Sequence, residues 1–231
     1  MVGNIIEKNP EEYLEEGKLF FEEKSYKKAI ERFEKFITLD KSSELAYYYK
    51  AASNYYLGNY EDALTGYNSV LSINPQNAYA HNSKGCIYFN QKEYEKAVNQ
   101  YDMAIDIDNT NSDFHYGRGS ALFNLEKFEE AINSFDKAIE IQPDNAHFYN
   151  SKGNALFLFK KKKEALASYE KAIEINYKMI DAHYSKIFLL RCMNRLGEAE
   201  DYMNNVILKL SDIGAIYCNN SILEYLDKDA W

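Results

Sequence analysis

The sequence predicts an all-α fold built from helix-turn-helix units of about 34 residues each, which repeat along the chain and stack on one another. Three observations predict it: a sustained period, two helical runs of apolar residues within each period, and a polar break between the runs. Residues 112–145 show all three, since a break at 124–126 separates the runs and Pro143 ends the second. Because stacked repeats contact mainly their neighbours, we expect function on an extended surface and not in a single pocket.

The period divides the chain into six repeats without an insertion or a deletion. The predicted repeats span 10–43, 44–77, 78–111, 112–145, 146–179 and 180–213. Residues 1–9 form an N-terminal segment. Residues 214–231 are predicted to form a C-terminal capping helix, at 215–226, followed by a frayed tail that ends at Trp231.

Small and large residues recur at fixed positions of the period and predict how the helices pack. Small residues let two helices approach closely, and a large ring fills the space between them. We therefore expect each repeat to be an antiparallel helical hairpin. The alanine column comprises Ala29, Ala63, Ala97, Ala131, Ala165 and Ala199; the aromatic column comprises Phe33, Tyr67, Tyr101, Phe135 and Tyr169, with Met203 as the exception; and the glycine column comprises Gly17, Gly85, Gly119 and Gly153.

Proline and capping residues mark the expected ends of the helices. Pro75 and Pro143 are predicted to end the second helix of their repeats, because proline cannot continue a helix. Asn77, Ser112 and Asn145 are predicted to cap the helix that follows.

These patterns resemble the tetratricopeptide repeat (TPR) family. The resemblance covers residues 10–213, and it implies a right-handed α-solenoid of six TPR repeats whose concave wall holds an extended or helical peptide from a partner. The fourth repeat carries the family pattern at His115, Gly119, Leu122, Phe128, Ala131, Phe135, Ala138 and Pro143. The sequence departs from it at Lys41, Asn109 and Tyr177 in place of proline, at Lys162 in place of an aromatic residue, and at Ile187 in place of glycine.

Composition and charge exclude several classes of function. The chain is 46% hydrophobic and 27% charged, so it can bury a core, and its net charge of -9 is opposite to the basic footprint that nucleic-acid binding requires. The sequence shows no signal-peptide pattern, no apolar stretch of about 20 residues and no CxxC pair among its three cysteines. We expect a cytoplasmic protein with reduced thiols, and neither nucleic acid nor a membrane as its partner.

No arrangement of residues predicts a catalytic, metal or cofactor site. His81, His115 and His183 share one repeat position, at which other repeats have tyrosine, so we interpret them as packing residues. Stacked helices lie about 8–10 Å apart, too far for a shared zinc ion whose ligands bind at about 2 Å. The GRGS segment at 117–120 lacks the third glycine and the preceding strand of a phosphate-binding loop. We predict a protein that is not an enzyme and needs no cofactor.

The inner face of each repeat's first helix is the predicted peptide-binding groove. It is rich in tyrosine, phenylalanine and asparagine and nearly free of charge. Asparagine amides are expected to pair with a peptide backbone, and the rings to receive its apolar side chains. The predicted groove residues are Tyr48, Tyr55, Asn82, Phe89, Asn90, Tyr116, Ser120, Phe123, Asn124, Asn150, Asn154, Phe157 and Tyr184.

A run of four lysines is a candidate charged rim. Repeat four has three basic and seven acidic residues, whereas repeat five has seven basic and three acidic residues. Three interpretations stay open: a solvated edge, a docking rim for an acidic partner, or a contact with acidic repeat four of a second copy. The run comprises Lys160, Lys161, Lys162 and Lys163.

The leading hypothesis is a non-enzymatic scaffold or adaptor that binds a partner protein or peptide in the concave groove. The alternatives are a self-assembling, homo-oligomeric scaffold and a regulatory subunit of a larger complex. Some family members clamp the C-terminal carboxylate of chaperones with Lys and Arg in the groove. We predict against that function, because the corresponding positions hold residues such as Tyr48, Asn82 and Asp113.

Overall fold

The computed structural model describes residues 9–212 of the chain, and the side chains of residues 9–206. Every regular element in this range is an α-helix, which confirms the predicted all-α class. The predicted capping helix at 214–231, with Trp231, lies outside the described residues. None of the helices between residues 9 and 212 is long and apolar enough to cross a membrane.

The chain divides after Lys127 into two compact units. In each unit, every helix packs against the helix before it and the helix after it in the sequence. The N-terminal unit contains α1 (Pro10–Glu22), α2 (Tyr26–Leu39), α3 (Glu44–Tyr56), α4 (Tyr60–Ile73), α5 (Ala78–Asn90), α6 (Tyr94–Ile107) and α7 (Ser112–Asn124). The C-terminal unit contains α8 (Phe128–Ile141), α9 (Ala146–Leu158), α10 (Lys162–Ile175), α11 (Ile180–Cys192) and α12 (Leu196–Asp212).

A left-handed residue follows the first helix of every predicted repeat. After α5, for example, Lys92 has a φ of 62°, its N–H donates to the carbonyl of Phe89, and the N–H of Glu93 donates to the carbonyl of Tyr88. This pair of bonds is the Schellman motif, which satisfies the last carbonyls of a helix. The residues with positive φ recur at one position of the repeat: Lys24, Gly58, Lys92, Glu126, Lys160 and Asn194.

Asparagine side chains cap three of the five helices that follow the longer connections, whereas Ser43 caps α3 and Met179 before α11 makes no such bond. Asn77 and Asn145 accept bonds from the backbone N–H groups of α5 and α9, as predicted. The prediction for Ser112 is wrong, because Asn111 caps α7 and Ser112 is already its first residue. The cap therefore keeps its position within the repeat, and a side-chain oxygen at that position satisfies an otherwise unpaired N–H group.

The core of each hairpin combines the alanine and aromatic columns. All six column alanines are at most 1% exposed. The ring of Tyr101 lies so close to Gly85 that a Cβ atom there would be 2.7 Å from Cε1, and Phe33 approaches Gly17 in the same way. Atoms this close leave no room for a side chain, so glycine permits the ring to lie between the two helices.

A ladder of polar contacts joins each helical hairpin to the next. A basic residue in the first helix of a repeat contacts an acidic residue sixteen positions earlier, as Arg118 Nε contacts Asp102 Oδ1 at 2.6 Å. At 100° per residue, the basic position faces away from the groove positions of the same helix. The other pairs are Lys50 with Glu34, Lys152 with Asp136 and Lys186 with Glu170; Lys84 instead contacts the amide oxygen of Asn68.

Candidate functional site

An aromatic strip runs across α3, α5 and α7 of the N-terminal unit. All of its rings are half-buried, with one side packed on the helices and the other accessible. Such rings offer apolar area at a low entropic cost, and the tyrosines add a polar edge. The strip comprises Tyr48, Tyr55, Phe89, Tyr116 and Phe123.

Hydrogen bonds between consecutive repeats fix parts of this strip. The Asn90 amide donates to the Tyr55 hydroxyl at 2.9 Å, and the Tyr48 hydroxyl lies 3.4 Å from Ser83 Oγ. The bond between Asn90 and Tyr55 uses one N–H of an amide that has two donor hydrogens and a carbonyl oxygen. Asn90 is exposed, so this amide is held in place while it faces solvent.

The fourth repeat supplies a second ordered amide. Asn124 donates to the main-chain carbonyl of Ser120 at 2.9 Å, and the Ser120 hydroxyl donates to the carbonyl of Tyr116 at 2.9 Å. These bonds satisfy helix carbonyls locally and set the direction of both side chains. The Ser120 hydroxyl therefore uses its hydrogen within the helix and does not offer it to a ligand.

Burial favours the neutral form of two tyrosines of the strip and of one cysteine beside it. Loss of water raises the pKa of the Tyr48 and Tyr55 hydroxyls and of the Cys86 thiol. The Tyr101 hydroxyl, whose pKa burial also raises, donates to Cys86 Sγ at 3.5 Å. At neutral pH these groups are hydrogen-bond donors and not activated nucleophiles.

Four of the remaining predicted groove residues lie on α9 and α11 of the C-terminal unit, and the fifth, Asn82, is half-buried on α5. Asn154 accepts a hydrogen bond of 2.9 Å from the Tyr169 hydroxyl, and Phe157 meets Phe188 edge to face at 5.6 Å between ring centres. Phe188 is exposed and was missed by sequence reasoning, although it occupies the same repeat position as Asn154, one repeat later. Tyr184 is half-buried on α11.

Asn150 does not present the accessible amide that is expected of a groove residue. It is only 9% exposed, and its Oδ1 is the one buried side-chain oxygen or nitrogen without a hydrogen-bond partner among the residues that the structure describes. The same repeat position holds Tyr48, Tyr116 and Tyr184. A buried amide oxygen without a hydrogen-bond partner costs stability.

The four lysines at residues 160–163 have different environments. All four are exposed at the turn from α9 to α10. Lys162, however, donates from Nζ to the main-chain carbonyl of Cys192 at 2.9 Å, which caps the end of α11. Lys161 lies 3.8 Å from Glu164, a loose and exposed pair that contributes little.

The histidines of the shared repeat position take part in packing. His115 and His183 are buried, and each contacts a main-chain carbonyl, of Asn109 and Tyr177 respectively. His81 contacts Gln100, and His147 is exposed on α9. No group of three His, Cys, Asp or Glu residues within the described range is arranged to hold a metal ion.

Comparison with solved structures shows the same fold. MamA from Desulfovibrio magneticus RS-1 is 19% identical with a TM-score of 0.68, over 74% of this chain and 96% of that chain. Pseudomonas aeruginosa PilF is 18% identical with a TM-score of 0.74, over 88% and 91%. YrrB, described as a TPR protein with an unusual peptide-binding site, is 22% identical with a TM-score of 0.66, over 79% and 94%.

Comparison with family models agrees with the helical repeats. A model described as TPR repeat matches residues 53–92 and 85–126, and two models described as tetratricopeptide repeat match residues 112–145 and 146–179. Together these matches span residues 53–179, more than half of the chain. No curated protein sequence matches the chain significantly. The chain belongs to the tetratricopeptide repeat family.

Proposed function

We propose that this protein is a non-enzymatic scaffold that binds a partner protein through an extended or helical segment laid along the aromatic strip. The observation that carries the proposal is the row of half-buried rings on three consecutive first helices, with Asn90 and Asn124 ordered beside it. A contiguous accessible aromatic surface of this kind is typical of protein interaction sites.

The chemistry of the strip suits a peptide better than a small charged ligand. Its side chains are phenols, phenyl rings and amides, and none of these groups carries a formal charge at neutral pH; burial raises the pKa of Tyr48 and Tyr55 further. Apolar side chains of a peptide can pack on the rings, while the amides exchange hydrogen bonds with its backbone. Because the main chain of any peptide offers such bonds, specificity depends on which side chains fit between the rings.

The family and the neutral strip support a binding role without catalysis. One neighbour, YrrB, is described by a peptide-binding site, and burial raises the pKa of the Cys86 thiol beside the strip, which disfavours a thiolate nucleophile. A cytoplasmic location fits the free thiols of Cys86 and Cys192.

Affinity capture from native cells tests the proposal. The test variant carries Asn90→Ala, Phe123→Ala and Asn124→Ala, which removes two amides and one ring from the groove. The control variant carries Leu39→Ala and Ile73→Ala, two exposed apolar residues at the ends of α2 and α4. We expect one set of partners to be lost from the groove variant alone.

A peptide-binding assay then measures the loss directly. Overlapping peptides from a captured partner should bind the wild-type chain at least tenfold more tightly than the groove variant, which corresponds to about 1.4 kcal/mol. Identical capture and identical affinities for the wild type and the groove variant would refute the groove as the site.

A further inference from the structure

The turn between α9 and α10 has the most basic sequence of the six equivalent turns. We call residues 158–163 the lysine turn; they carry a net charge of +4. Two of its residues are exposed apolar side chains, Leu158 at 45% and Phe159 at 37%. The equivalent segments 22–27, 56–61, 90–95, 124–129 and 192–197 carry net charges between -1 and +1.

Only part of this charge has a structural role. Lys162 caps α11, and the pair of Lys161 with Glu164 is loose. Lys160 and Lys163 are exposed, with no carboxylate within 4.0 Å of either among the described residues. The lysine turn therefore presents three cations, at 160, 161 and 163, beside exposed apolar area.

A surface of opposite charge lies on α1. Its exposed glutamates surround Leu19, which is 57% exposed, and at 100° per residue they fall within an arc of about 120°. Lys18 pairs with Glu15, while the other four glutamates have no cation within 4.0 Å among the described residues. This acidic face of α1 comprises Glu11, Glu12, Glu15, Glu22 and Glu23.

The same helix face is a stacking face in the other repeats. Leu19 is equivalent to Ser53 and Ile87, which are completely buried. Glu12 is equivalent to Ala46 and Ala80, which are also completely buried. In α1 this face thus keeps one exposed apolar residue near its centre, and a carboxylate, Glu12, stands at the position of the small buried residues Ala46 and Ala80.

We propose that the lysine turn of one copy of this chain docks on the acidic face of α1 of a second copy. Opposite charges bring the two surfaces together, and Leu158 and Phe159 cover Leu19. The contact joins two different surfaces, so it is heterologous and repeats from copy to copy. The two surfaces share no residue with the aromatic strip, so an assembly would present several strips to a partner.

The expected association is weak and depends on salt. Exposed ion pairs contribute little each, and the net charge of -9 makes the copies repel one another at long range. Sedimentation equilibrium of the full chain at 20 mM NaCl should show an average mass that rises between about 10 and 500 µM, and 500 mM NaCl should suppress the rise.

Charge reversal tests the basic surface. The turn variant carries Lys160→Glu, Lys161→Glu and Lys163→Glu and keeps Lys162 as the cap of α11. Other repeats have glutamate at each of these positions, at Glu126, Glu93 and Glu129, so the fold tolerates the changes. We expect this variant to stay monomeric up to about 500 µM at low salt.

A complementary variant tests the acidic surface. The helix variant carries Glu12→Lys, Glu22→Lys and Glu23→Lys, and it too should be monomeric alone. A mixture of the turn and helix variants should associate again, because each then offers the charge that the other lacks. As a control with the same change in charge, Lys137→Glu, Lys171→Glu and Lys178→Glu alter two exposed positions and one half-buried position of the C-terminal unit outside the turn.

The outcomes separate this proposal from the proposed groove. The variant with Asn90→Ala, Phe123→Ala and Asn124→Ala should associate like the wild type. A wild-type chain that stays monomeric at low salt would overturn the proposal. Three other results would overturn it as well. One is that the control with Lys137→Glu, Lys171→Glu and Lys178→Glu loses association as much as the turn variant does. The others are that this control, mixed with the helix variant, restores association, or that the groove variant loses it.

Discussion

Lys162 Nζ donates a hydrogen bond of 2.9 Å to the main-chain carbonyl of Cys192, the last residue of α11. The lysine stands where other repeats have Tyr26, Tyr60 and Tyr94, at the start of a second helix. A cation at the end of the neighbouring helix interacts favourably with its dipole and satisfies a carbonyl that has no partner within the helix. The departure from the family pattern thus replaces a ring contact by a charged cap.

Lys162→Met should lower the free energy of unfolding by about 0.5 kcal/mol, because it keeps the length of the side chain and removes the donor. Urea denaturation followed by circular dichroism measures the change. Lys163→Met is the control, since Lys163 is an exposed neighbour in the same turn. Equal effects of the two substitutions would contradict a specific cap.

The period of the sequence predicted which residues share a helix face, and the groove role that it assigns to Tyr55, Asn90 and Phe123 stays a prediction. It did not distinguish Lys162 from its neighbours, because the cap joins atoms 30 residues apart whose meeting depends on helix packing. The period did not predict the burial of Asn150 either, because Asn82 stands at the same repeat position and is only half-buried.

Replacing the left-handed lysine of the turn after α5 should stabilise the protein. Lys92 has a φ of 62°, a conformation that costs a residue with a side chain about 1–2 kcal/mol, whereas glycine adopts it freely. Lys92→Gly should raise the free energy of unfolding by about 0.5–1 kcal/mol after the larger entropy of unfolded glycine is subtracted.

Gly58→Ala is the matched opposite change. Gly58 has a φ of 80°, and no atom lies within 4 Å of an added Cβ, so the substitution isolates the backbone cost. It should lower the free energy of unfolding by about 1 kcal/mol. Thermal and urea denaturation of both variants measure whether Lys92→Gly raises and Gly58→Ala lowers the free energy of unfolding. A loss of stability in Lys92→Gly would show that the left-handed backbone at Lys92 is not strained.

Completing the polar ladder should also stabilise the N-terminal unit. Lys84 Nζ contacts Asn68 Oδ1 at 2.8 Å, whereas the basic residues of the other pairs contact a carboxylate. Burial lowers the pKa of Lys84. Asn68→Asp places a negative charge at this contact and should add up to about 1 kcal/mol at low salt, and less at 500 mM NaCl.

A double-mutant cycle tests whether the gain comes from this contact. The four proteins are the wild type, Asn68→Asp, Lys84→Met and the combination of both substitutions, compared by urea denaturation. A gain from Asn68→Asp that persists in the Lys84→Met background would show that the added charge acts elsewhere. The basic residues recur in repeats two to six of the sequence, whereas the first repeat has Glu16 at this position. Their partners sixteen positions earlier become evident only from the packing of consecutive hairpins.

The stability of the C-terminal unit should fall in mild acid because of His183. This histidine is 2% exposed, its Nε2 donates to the carbonyl of Tyr177 at 2.7 Å, and Nδ1 lies 2.7 Å from the hydroxyl of Tyr202. Burial lowers the pKa of His183, and the positive charge of Lys186 lowers it further, although the bond to Tyr177 opposes the shift. Lys186 is itself paired with Glu170.

The direction of the change in stability depends on whether the folded or the unfolded state binds the proton more tightly. In the unfolded chain the imidazole has its ordinary pKa of about 6.5, so the unfolded state takes up a proton first as the pH falls. The free energy of unfolding should therefore decrease from pH 7.5 to pH 5.5, and the contribution of His183 to that decrease should be absent in His183→Gln. Urea denaturation of both proteins at the two pH values measures it: the wild type should lose more stability than the variant. A larger loss in His183→Gln would mean that the folded protein holds the protonated imidazole more tightly than the unfolded chain does.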